Sequence, residues 1–294
     1  MRHAIDSIIR FCGDTVSFLG FLIELICKKG FSKTIKEKHN GTVAILANGP
    51  SLKEILPSLT ISDDFKGVDF IVMNFFAFDE AFFQIKPKHY CLADPMYFIE
   101  NYRLEKVNDV KKLFEILQNN VSWKMNIYLP SRLSKKFVAF SGVTNKNISI
   151  VTLSSVDYRG YESFRNVFYK KGLAMPFLGT VANMAIYTGI NCGYSKIMLY
   201  GVDHSFFDNL CVNEMNQLCT KDVHFYDGDA SMKPILDGNK DVMKISNLMS
   251  FYAALFKSHD YLSFYAKYSK TEVINCTLGS LIDSYPKKSP AQQN

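Results

Sequence analysis

Two short polar stretches stand out for their chemistry, Asn48-Gly49-Pro50-Ser51 and Gly201-Val202-Asp203-His204-Ser205. The first follows an uninterrupted apolar run, Val43-Ala44-Ile45-Leu46-Ala47, and precedes Leu52-Lys53-Glu54. Gly49 accommodates a positive φ and Pro50 fixes φ near −65°, so the run ends in a turn. Ser51 and Glu54 have the spacing of a capping box, which predicts a helix start. A glycine turn feeding a helix N-terminus presents free amides and a positive dipole end, which suit an anion and above all a phosphate. An ordinary βα turn uses the same residues, and the spacing is neither a Walker loop nor GxGxxG. The second stretch supplies an imidazole, which takes up a proton near neutral pH and in general acid–base catalysis contributes about 10²–10⁴-fold. Asp203 orients a histidine, contacts a second substrate, or holds its turn together. His224 is a further candidate base, set among Asp222, Tyr226, Asp227 and Asp229. His3, His39, His89 and His259 read as surface or structural residues.

These groups need a scaffold that brings them together. The run 43–47 reads as a strand buried on both faces, as in a parallel sheet; 70–73, 90–93, 125–129, 197–200 and Glu272–Asn275 read as further strands, and Ile148–Leu153 as one with Ile148, Ile150 and Thr152 on one face. Most end in polar or turn residues: Asn48, Asn74, Asp94-Pro95, Gly201 and the segment Cys276-Thr277-Leu278-Gly279-Ser280. Open α/β sheets bind ligands at the strands' carboxyl ends. Asn74 and Asp94 are therefore either nucleoside contacts or turn-forming Asx residues. Helices are predicted over 104–118, after Gly179-Thr180 as far as Gly193, and over 242–267. Residues 157–169, with Tyr158, Arg159, Tyr161, Arg165 and Tyr169, read as a binding loop or as a lid packed on the core. Residues 206–229 lack periodicity and read as a long loop or small lid beside the site.

The chain has 294 residues, about half of them hydrophobic, and a net charge of +6. That is enough for one large α/β domain. No basic stripe with interleaved aromatics is present, which argues against a nucleic-acid partner. Seven cysteines form no CxxC pair, and the expectation is buried free thiols in a reducing cytoplasm without a zinc site. Residues 1–40 read as an amphipathic helix and linker, 41–285 as the catalytic domain and 286–294 as a polar tail. The apolar part of residues 1–30 is too short to span a bilayer and carries Glu24. It either packs on the domain or lies on a membrane surface, where Lys28, Lys29, Lys33, Lys36 and Lys38 would favour anionic lipid.

The order of these motifs resembles the bacterial family 42 sialyltransferases of lipooligosaccharide synthesis, a broader group from polysaccharide and O-antigen clusters, and the hydroxymethylpterin pyrophosphokinase-like proteins. The likeness is carried by NGPSLKEI, a strand ending in Asn74, "GYSKIMLYGVDHSFF" and "VINCTLGSLID", and spans about residues 42–285. It implies a single Rossmann-like, modified GT-A α/β domain with a mostly parallel sheet, a lid-like loop region and an amino-terminal helix. It also implies a metal-independent enzyme using a CMP-sugar donor and no cofactor. Asn48, Gly49, Pro50, Ser51 and Asn74 would hold the donor nucleotide, and Thr277, Gly279 and Ser280 its cytidine monophosphate. Asp94, Gly179 and Thr180 complete the expected donor set.

This chain departs from the family after the G-[IV]-D turn, where His204-Ser205 replaces a tyrosine. The family's catalytic histidine lies in a lid segment whose nearest match here is His224, with Tyr226 in place of a phosphate-binding tyrosine. The expected reaction is transfer from CMP-N-acetylneuraminate to a terminal sugar hydroxyl on a glycan or lipid-linked glycan. The expected location is cytoplasmic or peripheral on the inner face of the inner membrane, with a homo-oligomer open. A Mg²⁺- and ATP-dependent phosphotransferase and a non-catalytic carbohydrate-assembly protein are the alternatives.

Overall fold

The computed structural model describes residues 2–27, 35, 36, 38–222, 231–238 and 240–288. Helix α1 (Arg2–Cys27) leads into β1 (Thr42–Leu46), the short α2 (Leu52–Ile55), β2 (Asp69–Met73), α3 (Ala81–Ile85) and β3 (His89–Cys91). Then come α4 (Val107–Asn119), β4 (Met125–Pro130), α5 (Ser134–Ser141), β5 (Ile148–Leu153), α6 (Glu162–Lys170) and α7 (Val181–Cys192). The chain continues through β6 (Lys196–Tyr200), β7 (Leu210–Val212), β8 (Leu218–Asp222), β9 (Ser231–Pro234), α8 (Ile245–Tyr268) and β10 (Glu272–Asn275).

Seven strands form one sheet in the order β10-β6-β1-β2-β3-β4-β5, and every neighbouring pair is parallel. The continuous apolar runs follow from this, because side chains alternate between two covered faces. Val43, Ile45 and Ala47 of the first run face a core shared with α7, α8 and α1. Ala44 and Leu46 face the other core, which α4 and α5 cover through Val110, Leu113, Leu117 and Phe137. The architecture is a helix–sheet–helix sandwich of Rossmann type.

The strand order sets where a ligand can sit. From β1 the chain winds outward through β2 to β5, then returns past β1 to place β6 on its other side. The winding direction reverses between β1 and β6, and a crevice opens at the carboxyl ends of strands at such a reversal. Leu46 pairs in register with Tyr200, so the two polar turns leave the sheet side by side.

Three expectations change. Of the two readings of residues 157–169 the binding loop gives way to the core-packed one: α6 occupies most of the segment, Tyr158 and Tyr169 are buried in the main core, and Tyr158 and Phe168 pack against α1. Within 206–229, β7 and β8 are strands, and with β9 they build a small antiparallel sheet. His224 and Tyr226 lie outside the described residues. Helix α1 docks through Phe21 and Leu25, both buried in the main core, while its opposite face stays exposed. Among the described residues no helix is long and apolar enough to cross a membrane. All seven cysteines are free, and Cys12 and Cys27 are exposed rather than buried.

Candidate functional site

A cleft of about 310 Å³ lies at the β1/β6 reversal. The turn after β1 lines it with Asn48, Gly49 and Pro50, and the turn after β6 with Gly201, Asp203, His204 and Ser205. Asn74 at the end of β2 and Thr180 at the start of α7 complete its polar wall. Its volume is at the lower end for a small-ligand site.

The two turns are bonded to each other. The Gly49 amide donates to the Gly201 carbonyl at 2.9 Å, continuing the pairing in which Ala47 N–H reaches Tyr200 O. Ser51 Oγ donates to Asp203 Oδ2 at 2.9 Å, and the Ser51 amide approaches Oδ1 at 3.4 Å. The expected capping box is therefore absent: Ser51 has helical φ/ψ, makes no side-chain cap bond, and spends its hydroxyl on Asp203. A four-residue α2 also supplies little dipole, and the Gly49 and Ser51 amides are spent on the opposing turn.

Glycine is needed at 49 for space, not for the positive φ expected there. A methyl group at that position would overlap the Asp203 carboxylate and the Gly201 carbonyl oxygen. Gly201 does take a left-handed φ of 68° and passes close to the Ala47 carbonyl.

A longer helix supplies the amide-rich wall instead. The twelve-residue α7 begins at the cleft with Thr180, Val181 and Ala182. Thr180 makes no side-chain cap bond to the backbone; its hydroxyl donates to Asn183 Oδ1 at 3.1 Å. The first amides of a helix lack intrahelical partners, and this start points the dipole's positive end into the cleft.

Asn74 and His204 are both left-handed, each with φ 52°, and both line the cleft. Such conformations are uncommon outside glycine and concentrate at functional sites. The Asn74 side-chain oxygen is buried with no hydrogen-bond partner among the described residues. A buried acceptor left open costs free energy unless a ligand or solvent reaches it.

His204 is backed by His259, expected to be surface or structural, and by Tyr285. Its Nε2 lies 3.1 Å from His259 Nε2, and His259 Nδ1 lies 3.2 Å from the Tyr285 hydroxyl. His204 therefore has Nδ1 left for the cleft. Burial lowers its pKa to about 4, and burial and then the neighbouring His204 lower that of His259 to about 3. Both rings are neutral at neutral pH, and the tautomer of one fixes that of the other. The available signal for His259 was a polar residue among Leu255, Leu262 and Ala266 on the apolar face of a helix.

The remaining expected site residues lie elsewhere. Thr277 and Ser280 are buried and do not line the cleft. Thr277 Oγ1 accepts from the Val202 amide at 3.1 Å and donates to Leu199 O at 3.3 Å. Ser280 Oγ donates to Val202 O at 2.8 Å. They brace the β6 turn from behind, while Gly279 faces open space at φ 70°. Asp94 caps a turn by accepting from Met96 N and pairs with Arg103 at 3.6 Å, away from the cleft. Gly179 packs against Phe177 and Leu255, just outside it.

A second cleft of about 320 Å³ shares Asn48-Gly49-Pro50 as a wall and is lined beyond it by Lys53, Phe75, Phe76, Phe78 and Asp79. Phe75 and Phe78 stack with centroids 5.2 Å apart. No protein-family model matches this chain, and no curated protein matches it.

Proposed function

We propose that the chain is a glycosyltransferase of bacterial surface-polysaccharide synthesis that takes a CMP-activated sugar, most simply a CMP-nonulosonate, and transfers it to a sugar hydroxyl. The observation that carries this reading is the pair of turns 48–51 and 201–205, bonded to each other and walling one cleft with the α7 N-terminus. The motif resemblance supplies the cytidine donor and the nonulosonate.

In this reading the first amides of α7 and Asn48 receive the donor phosphate and stabilise the charge that develops as the anomeric C–O bond breaks. Asn74 offers its open side-chain oxygen to a donor N–H, such as the amino group of a cytosine. His204 Nδ1 accepts the proton of the attacking hydroxyl. As that proton arrives, His204 Nε2–H can hand its own to His259 Nε2, which spreads the charge over two rings. Asp203 is a positioning residue, since Ser51 holds its carboxylate. The neighbouring cleft with Phe75 and Phe78 accommodates the acceptor glycan, whose C–H faces pack on aromatic rings.

The test is donor screening with the purified protein, beside calorimetric titration of CMP, AMP and ATP with and without Mg²⁺. The expected result is CMP binding without metal and turnover of a CMP-nonulosonate. His204→Ala is expected to lower kcat by about 10²–10⁴-fold while CMP binding persists. Failure to bind CMP, beside ATP binding that EDTA abolishes, would replace this reading with the phosphotransferase one.

A further inference from the structure

Helix α1 has two apolar faces, and the domain uses only one. Phe18, Phe21, Leu22 and Leu25 pack on Tyr158, Tyr161, Phe164 and Phe168 or on the core behind them. On the far side Ile5, Ile8, Ile9, Val16, Leu19, Ile23 and Ile26 are 50–70% exposed, and Cys12 is exposed with them. Solvent-facing apolar residues in such number mark an interaction surface.

Their spacing identifies the partner. Ile5, Ile9, Cys12, Val16, Leu19, Ile23 and Ile26 follow one another at strictly alternating intervals of four and three residues, with no charge among them. That is the seam of a left-handed coiled coil, in which a period of 3.5 keeps one stripe against another helix. Ile9, Val16 and Ile23 fall at the a positions and Leu19 at a central d, the combination that favours two parallel strands, whereas Ile5 and Ile26 at the outer d positions favour a higher order. Gly13 and Gly20 fall at e, where a side chain would meet open space, so nothing on that flank obstructs a second helix. At roughly 100 Å² each, the seven large side chains offer about 700 Å² per copy, close to one partner's share of a stable interface.

A lipid surface fits this helix less well. Interfacial helices carry many Lys and Arg along the polar face, whereas here the charged residues are Arg2, Arg10, Asp6, Asp14 and Glu24, with acids outnumbering bases. Lys28 and Lys29 follow the helix in sequence instead of running along it.

We propose that α1 pairs with α1 of a second copy of this chain as an in-register, parallel, two-stranded coiled coil through the Ile5-Ile9-Cys12-Val16-Leu19-Ile23-Ile26 seam. This rests on the helix alone and not on the glycosyltransferase reading.

The experiment measures the solution mass of the full chain by sedimentation at micromolar concentration, with and without vesicles of phosphatidylglycerol and phosphatidylcholine. The expected result is twice the mass of the 33.5 kDa chain and no pelleting with vesicles. Ile9→Glu and Ile23→Glu each place a charge in the seam and should weaken self-association on the order of 100-fold. Ser17→Glu, on the exposed polar side, should leave the mass unchanged. In the Cys27→Ser protein, mild oxidation should cross-link Cys12 to Cys12 of the second copy, because a parallel seam puts both in one layer. Folding of each variant is checked by its circular dichroism. A monomer, or a dimer that survives both glutamates, overturns the proposal. So does vesicle binding that the glutamates abolish, or a dimer whose Cys12 residues never cross-link.

Discussion

At the scale of single residues, the cleft is held by atoms with no room to move. Gly49 sits where a β-carbon would collide with the Asp203 carboxylate and the Gly201 carbonyl oxygen, both parts of the opposing turn. Gly49→Ala must therefore push the two turns apart and break the Gly49 N–H bond to Gly201 O. Overpacking of this kind costs about 1–3 kcal/mol, and here the colliding groups include backbone, so the upper end is expected in urea denaturation. The variant should also lose CMP affinity, and unchanged stability would show that the turns are looser than their hydrogen bonds imply. Thr277 argues the same point from behind the site. Its hydroxyl satisfies the buried Val202 amide, and Thr277→Val keeps the shape while orphaning that donor. A loss of about 1–3 kcal/mol follows. If Thr277 instead touched the nucleotide directly, the variant would lose affinity with little change in stability.

At the scale of elements, the helices divide into those that make the site and those that hold the sheet. Helix α7 does both: its first turn walls the cleft, and its body is buried almost throughout. Helix α1 supports the fold through Phe21, whose ring lies 4.9 Å from Tyr158 and 5.1 Å from Phe168, centroid to centroid. Phe21→Ala should cost about 3 kcal/mol, the low end for a buried phenylalanine because a surface helix can settle into the gap. Equilibrium unfolding measures that loss, and faster amide exchange within α1 locates it; full protection of α1 in the variant would contradict the docking. Strands and helices of this kind were legible where their residues carry one unmixed signal. The run 43–47, the helix from Thr180 to Gly193 and strand Glu272–Asn275 are apolar segments closed by turn residues, and they occur where that pattern places them. Helix α6 was hidden because Tyr161 at its cap and Phe164 and Phe168 within it turn toward α1, a partner far away in sequence. The β7–β8 pair was hidden because Leu210–Val212 and Leu218–Asp222 are too short for a period of two to show. Ser51 misled for a similar reason: a capping box is a local signal, and Asp203, brought in by the sheet, takes the hydroxyl first.

At the scale of the whole molecule, strand order decides what the sequence could only suggest. Nothing local says that residues 48–51 and 201–205 meet; the return of the chain from β5 to the far side of β1 brings them together. The same packing buries imidazoles in the sheet's surroundings, and this sets how the protein responds to acid. His89 is enclosed at the amino end of the sheet, hydrogen-bonded to the hydroxyls of Tyr128 and Tyr194, and burial with nearby His39 lowers its pKa to about 3. His204 and His259 are depressed to about 4 and about 3. Between an ordinary histidine value near 6.5 and these values, the unfolded chain takes up protons that the folded chain refuses, so stability rises with pH across that window and is lost on acidification. His89 contributes on the order of 3 kcal/mol, and the His204–His259 pair adds to it in the same direction. Asp157 works in the opposite direction. Burial raises its pKa to about 6 despite Arg159 and Arg165, so the folded chain holds a proton there that the unfolded chain releases. From pH 6 down to the usual carboxylate range it therefore adds stability, on the order of 3 kcal/mol, and offsets one of the two histidine contributions. With His89 and Asp157 offsetting each other, the net expectation is a fall in stability and in Tm between pH 7 and pH 4, carried by the His204–His259 pair. Asp157→Asn removes the opposing contribution and should steepen the fall, whereas His259→Gln should flatten it. A thermal midpoint that stays level or rises from pH 7 to pH 4 would mean that these imidazoles are open to water, and with them the relay behind His204.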